Sequence, residues 1–197
     1  MAEPHPGGPP TVPGDGAPAV VLIGPPAAGK SRLGRRLARL LQLPLIDTDR
    51  VVVEAHGPIP AIFAEHGEPV FRAWEREAVE AALRERAIVS LGGGAVLDAA
   101  TQRQLHGMPV VLLTITPEAA AARLDGSSRP LAGGIEAWTT LVAARTPLYE
   151  SLAAATWDTS RRPIDRIAQE IADWVLARET ARDSAPAAHP ESGEDTP

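Results

Sequence analysis

The sequence predicts an α/β fold, a three-layer sandwich around a central five-stranded parallel sheet. Three features point to it. Short apolar runs rich in β-branched residues recur along the chain, stretches of helical spacing separate them, and the first run opens onto a glycine-bearing turn that leads into a helix. Strands alternating with helices bury both faces of a parallel sheet. Ligands of such sheets bind beyond the carboxyl ends of the strands, so the residues just after each strand carry the most information.

The elements read in order as follows. Strands are expected at Ala19–Gly24 (AVVLIG), Pro44–Asp47 (PLID), Ala87–Leu91 (AIVSL) and Val110–Ile115 (VVLLTI), each short and bounded by turn residues. Ala154–Asp158 (AATWD) has a weaker pattern and is read as the fifth. Helical spacing covers Lys30–Leu41, Val70–Arg84, Ala99–Leu105, Pro117–Leu124, Ile135–Ser151 and Ile164–Ala177. In the last of these, Ile164, Ile167, Ala168, Ile171, Trp174 and Val175 fall on one face. Residues 1–18, mostly Pro, Gly and Ala, and the polar residues 178–197 lack the apolar content to offset their ordering entropy. Both are expected to be disordered tails around a single domain, residues 19–177.

Composition excludes several classes. The 197 residues suit one domain. No apolar run reaches the roughly 18 residues that cross a bilayer. There is no cysteine, which removes disulfides, thiolate metal sites and thiol nucleophiles together. The net charge of −6 argues against nucleic acid as a partner. The N-terminal stretch has no secretory pattern, so a cytoplasmic location is expected. No serine stands in a G-x-S-x-G context, the five histidines show no ligand spacing, and Trp74, Trp138, Trp157 and Trp174 read as packing residues.

The chemistry concentrates after the strands. Gly24-Pro25-Pro26-Ala27-Ala28-Gly29-Lys30-Ser31 fits G-x-x-x-x-G-K-[ST], whose glycines let backbone N–H groups face a phosphate at a helix N-terminus. In this pattern the lysine reaches the β- and γ-phosphates and the serine hydroxyl is a magnesium ligand. Lys30 is the only lysine among 19 basic residues, so a compact ammonium is retained here in a chain that otherwise uses arginine. The second strand ends in Asp47-Thr48-Asp49. Two carboxylates beside a nucleotide site suit metal handling and contact with an acceptor hydroxyl, although Asp49 could equally cap a helix starting near Arg50. Arg72 and Glu75 are spaced either as a surface ion pair or as an arginine fork for a substrate carboxylate held by its neighbouring acid. Gly92-Gly93-Gly94 is more glycine than a turn needs and points to close backbone approach. Gly126–Gly134, with Arg129 inside it, has the composition of a mobile lid, about residues 124–134. Arg145 stands just before Pro147 in RTPLY.

Taken together and in this order, GPPAAGKS, DTD, GEPVFRAWE, GGG, SRPLA and RTPLY resemble the shikimate kinase family over about residues 19–177. The resemblance implies a P-loop kinase fold of the nucleoside-monophosphate-kinase type. It implies transfer of the γ-phosphoryl group of ATP to the 3-hydroxyl of shikimate with Mg2+, a step of chorismate and aromatic amino acid biosynthesis. By position, Ala27, Ala28, Gly29, Lys30, Ser31 and Arg32 would wrap the ATP phosphates, with Ser31 and Asp47 serving the metal. Asp49 would bind and orient the acceptor hydroxyl. Arg72 and Arg145 would hold the shikimate carboxylate, Gly93 would offer a backbone contact, and Arg129 would close over the phosphates as a catalytic cation. Arg162 would line the adenine pocket, with Arg123 on its other side. Small-molecule substrates and a monomer are expected. A gluconate-type kinase and a nucleotide-sensing module without catalysis are the alternatives. Three features depart from the family pattern: Arg32 stands where threonine is usual, the Arg123–Arg129 segment is about one residue shorter, and prolines enter His56-Gly57-Pro58-Ile59-Pro60.

Overall fold

A computed structural model describes residues 16–125 and 134–184. Five parallel strands, β1 (Val20–Ile23), β2 (Leu45–Asp47), β3 (Ile88–Ser90), β4 (Val110–Thr114) and β5 (Ala155–Asp158), form one sheet in the order β2-β3-β1-β4-β5. All five sequence-predicted strands are present, including the weak fifth, which is an edge strand. The chain builds from β1 toward one edge through β2 and β3, then crosses to the other edge through β4 and β5. The crevice where this direction reverses lies at the carboxyl end of β1.

Period-2 alternation divides the core between the two faces of the sheet. Val20 and Leu22 of β1 join Ile88, Val111 and Leu113 under α1 (Lys30–Leu41) and α7 (Ile164–Asp183), with Leu33, Leu37, Ile167 and Ile171 from those helices. Val21 and Ile23 face the other way with Val89, Leu91, Val110 and Leu112. That side is covered by α3 (Ile59–Ala82), a 3-10 turn at Ala95–Leu97, α4 (Ala99–Leu105) and Tyr149 of α6 (Gly134–Leu152). The remaining helix, α5 (Pro117–Asp125), follows β4.

Two helical segments go beyond the elements read from the sequence, the first of them offered there only as an alternative starting near Arg50. Helix α2 (Thr48–His56) follows β2 directly, although Val51-Val52-Val53 is a β-branched run. Helix α3 begins at Ile59 rather than Val70, because it consists of two helical pieces joined across a kink at Gly67, where φ is 79° and ψ 168°. Pro69 then sits in the first turn of the second piece, where its missing N–H does no harm. Val52, Ile62, Phe71 and Ala78 give α2 and α3 a small core of their own.

The last helix also overruns its expected end at Ala177 and continues to Asp183. No glycine or proline interrupts it before Pro186. Glu179 pairs with Arg86, and the Arg178 guanidinium lies 5.0 Å over the Trp174 ring. Residues 178–183, read from the sequence as tail, are therefore helical; residues 1–15 and 185–197, the rest of the two expected tails, lie outside the described residues. Ending the chain at Ala177 removes one part-exposed ion pair and one cation–π contact, about 1 kcal/mol together. Its melting temperature is expected to fall by about 2–4 °C; an unchanged value would show that these contacts contribute nothing.

Candidate active site

The loop after β1 is shaped by close contacts. Gly24 has φ 135°, and a Cβ there would overlap the carbonyl oxygen of Leu113, so only glycine lets the loop leave the sheet at this point. Ala27 takes a left-handed conformation (φ 66°), and Gly29 (φ 89°) caps α1 without a side-chain bond. The first N–H groups of α1 are thus left to a ligand, and the helix dipole favours an anion there. Lys30 Nζ donates to the carbonyls of Gly24 (2.7 Å) and Pro25 (3.0 Å), bracing the loop with two of its three N–H donors. Burial pushes its pKa down to about 8, against the opposing pull of Asp49 and then Asp47.

Two side chains that the sequence reading did not place at this loop, Trp138 read as packing and Arg123 read as flanking adenine, also hold it. The Trp138 indole N–H donates to the Pro26 carbonyl (3.2 Å), and Arg123 Nη1 donates to that of Ala27 (2.9 Å). Arg123 is further bonded to the hydroxyl and carbonyl of Thr159. The buried Thr159 hydroxyl lies 3.0 Å from the carbonyls of both Ala28 and Thr114.

A cavity of about 470 Å3 opens beside the loop, lined among others by Ala27, Gly29, Lys30, Ser31, Asp47 and Asp49. Arg32 lines it too, and also a second cavity of about 270 Å3 bordered by Ala28, Gly29, Arg123, Thr159, Arg162 and Pro163. Arg162 is paired with Glu170 at its rim. Burial, then the nearby Arg32 charge, holds the Arg123 pKa below its ordinary value. Arg32 thus stands between the two cavities.

Beyond the first cavity the glycine run meets the acidic and basic side chains. Asp47, not Asp49, caps α2: its Oδ1 accepts from the Arg50 N–H (3.3 Å), since the helix starts at Thr48 rather than near Arg50. Asp49 therefore lies in the first turn, against Gly92. A Cβ at Gly92 would overlap Asp49 Oδ1 and stand 2.7 Å from Glu75 Oε1, and one at Gly94 would stand 2.5 Å from Arg72 Nη1. The glycines are there to admit three charged side chains of the protein itself. Thr48, also without a role in the sequence reading, accepts from the Gly92 N–H (3.1 Å) and donates to the Ser90 carbonyl (3.4 Å), tying β2 to β3.

Arg72 combines both readings of its spacing. It is an i,i+3 ion pair with Glu75 (2.7 Å), but Glu75 is buried, with its side chain only 5% exposed. Glu68 holds the Nε and Nη2 side of the guanidinium at 3.2 and 3.0 Å. Burial opposes the Arg72 charge, and the bonds to Glu75 and Glu68 outweigh it, so its pKa is raised. Glu75 moves the other way from what its pairing alone would give. Burial, aided by Asp49, raises its pKa despite Arg72 and Arg145, because it is the more deeply buried partner. Arg145 Nη1 donates to the Gly93 carbonyl (3.1 Å) from α6. Arg72 and Arg145 thus border the consecutive Gly94 and Gly93, and Asp49, against Gly92, acts electrostatically on both Glu75 and Lys30. Arg129 and most of the expected lid lie outside the described residues.

A β2-β3-β1-β4-β5 parallel sheet with a phosphate loop at its switch point, and acidic and arginine side chains facing that loop, defines a P-loop kinase for small molecules. A family profile described as shikimate kinase matches residues 26–176. Shikimate kinases of Rhodococcus jostii (44% identity; 79% of this chain, 96% of that one) and Mycobacterium avium (41%; 84% and 98%) align over most of the sequence. The chain belongs to the shikimate kinase family. Among solved structures, a shikimate kinase from Acinetobacter baumannii in complex with shikimate superposes with a TM-score of 0.76 at 31% identity, over 84% of this chain and 96% of that one. A gluconokinase from Sinorhizobium meliloti, at 20% identity and TM-score 0.58, shares the fold.

The depressed Lys30 pKa has a consequence for binding. Nucleotide phosphates favour the charged lysine, so below pH 8 the free protein is already in the binding form. Above pH 8 it must take up a proton on binding, and affinity is expected to fall as pH rises, by up to about tenfold per unit. The same shift makes the ligand-free fold gain stability between pH 8 and 10.5, where the unfolded lysine retains a proton the folded one has lost. Calorimetric titration with ATP analogues at pH 7 and 9 checks the first point; equal affinities would refute it.

Proposed function

We propose that this chain transfers the γ-phosphoryl group of ATP to the 3-hydroxyl of shikimate, giving shikimate 3-phosphate and ADP for aromatic amino acid biosynthesis. The observation that carries the reading is the placement of Arg72 and Arg145 at adjoining glycines, with Asp49 at the next glycine and within electrostatic reach of Lys30. Two guanidiniums suit a carboxylate, and the aspartate then lies toward the ring hydroxyls. Asp49 orients the 3-hydroxyl and accepts its proton as the oxygen–phosphorus bond forms and the bond to the β-phosphate oxygen breaks. Lys30, the α1 N-terminus and Arg129 stabilise the charge on the transferring group, which is where phosphoryl transfer needs the protein most. Ala27, Ala28, Gly29, Ser31 and Arg32 hold the phosphates. Arg162 and Arg123 flank the adenine, Gly93 contacts the acceptor through its backbone, and Glu75 keeps Arg72 in place.

The kinase family uses ATP and typically a divalent metal. The Ser31 hydroxyl and Asp47 carboxylate face one cavity, and among the described residues no group of three or more His, Cys, Asp or Glu could hold an ion alone. Such a sparse all-oxygen set fits Mg2+, which keeps waters and shares itself with substrate phosphates. Bound there, Mg2+ would neutralise phosphate charge. A monomer acting on small-molecule substrates is the reading adopted. No described helix is long and apolar enough to cross a membrane, and a cytoplasmic enzyme is the reading adopted.

The test is ADP release with ATP and Mg2+ in the presence of shikimate, gluconate, AMP or no acceptor. Turnover with shikimate alone is expected. Turnover with gluconate instead would keep the phosphate loop and overturn the carboxylate assignment, and nucleotide binding without any turnover would favour a sensing module.

A further inference from the structure

Tyr149 takes no part in the scheme above, yet it is bonded to the site. It is 1% exposed, packed among the apolar residues under the sheet, and its hydroxyl donates to the Gly93 carbonyl at 2.6 Å. Arg145, one turn earlier on α6, donates to the same oxygen at 3.1 Å and also lies against the phenol oxygen. One carbonyl thus receives two donors of different kinds. The phenol is fixed by the core around it, whereas the guanidinium is the group offered to the acceptor.

Three glycines in a row lose more backbone freedom on ordering than any other tripeptide. Their neighbours make the conformation matter, because Gly92 abuts Asp49 and Glu75 and Gly94 abuts Arg72. The run is pinned by Thr48 at the Gly92 N–H and by Tyr149 and Arg145 at the Gly93 carbonyl. If Arg145 were the sole pin at Gly93, an acceptor carboxylate drawing it away would leave that carbonyl unpaired and the run loose.

We propose that Tyr149 is a positioning residue for acceptor binding: its hydroxyl holds the Gly93 carbonyl by itself and so releases Arg145 to the acceptor carboxylate. The inference rests on the shikimate reading and deepens it. Without the hydroxyl, Arg145 has to serve both the carbonyl and the substrate.

The test is steady-state kinetics of Tyr149→Phe with two acceptors, shikimate and the analogue whose carboxylate is reduced to a hydroxymethyl group. With shikimate, KM is expected to rise about 5–20-fold, the range of one lost hydrogen bond to a group in a charged network. Turnover and the KM for ATP are expected to stay within about twofold. With the analogue, which does not recruit Arg145, the ratio of KM values between variant and wild type is expected to approach one. In an Arg145→Ala background Tyr149 is the remaining donor to the Gly93 carbonyl, so adding Tyr149→Phe is expected to lower kcat/KM by the same factor for shikimate and for the analogue. Because a smaller folded fraction lowers the rate on both acceptors alike, the ratio between shikimate and the analogue decides the matter even if the variant is poorly soluble. An equal penalty on both acceptors in the otherwise wild-type protein, or a shikimate-specific penalty that persists in the Arg145→Ala background, would make Tyr149 a packing residue and overturn the inference. If the wild type is active on shikimate, those outcomes leave the function reading standing. A wild type inert toward shikimate removes that reading and this inference together.

Discussion

Replacing Lys30 by methionine is expected to lower kcat/KM by about a thousandfold or more while leaving the melting temperature unchanged or higher. The two halves have separate causes. Removing one positioned donor to a developing oxyanion costs about 10²–10³ in rate, and Lys30 supplies a full charge as well. Its two bonds to the Gly24 and Pro25 carbonyls also fix the loop that presents the α1 N–H groups, so nucleotide affinity falls along with turnover. Stability responds differently. A pKa lowered from 10.5 to about 8 by burial means the ammonium charge is held at a cost in the ligand-free fold. Methionine has similar reach and no charge, so the substitution removes that cost and forgoes two bonds. A thermal melt beside the kinetics separates the cases. Turnover within tenfold of wild type would refute the phosphate role, and a collapse in melting temperature would show that the lysine serves mainly to hold the loop.

Sheet and site differ in how far they can be read from the sequence, and the difference follows chain separation. The strands were legible because alternation is local: Val20 and Leu22 face one side, Val21 and Ile23 the other. The phosphate loop was legible because its donors are consecutive. Helix α2 was legible only as one of two readings of Asp49, because three successive valines favour a strand, a preference overridden once Val52 packs against Ile62 and Phe71. The first half of α3 was hidden by Gly67 and Pro69, which read as a boundary and are in fact a kink. In the site, Arg72 and Glu75 were visible because they lie one turn apart. Thr48, Thr159 and Tyr149 were not. Each acts through a hydroxyl on backbone 42 to 131 residues away, and nothing in their local sequence marks that partner. Gly92 and Gly94 were seen as places of close approach, but toward a ligand; the groups that approach are Asp49, Glu75 and Arg72.

Asp49→Asn is expected to lower turnover by about 10²–10⁴-fold, the usual range for losing a positioned base, with nucleotide affinity near neutral pH changed by less than about threefold. Asparagine has the volume of aspartate, so the space that Gly92 leaves for it is filled as before and the first turn of α2 need not move. What goes is a negative charge and a proton acceptor. The loss of charge reaches Lys30, because Asp49 is the foremost influence raising the lysine pKa against burial. Without it that pKa drops below 8, and the pH above which nucleotide affinity declines moves down with it. One substitution therefore makes two separable predictions: a fall in turnover measured at fixed pH, and a displaced pH profile for nucleotide binding measured without acceptor. Turnover loss with an unshifted profile would leave Asp49 as the base and sever its coupling to Lys30. A shifted profile with near-normal turnover would give the base to another group, and Glu75, its pKa already raised and its carboxylate beside Asp49 against Gly92, would be the next carboxyl to test.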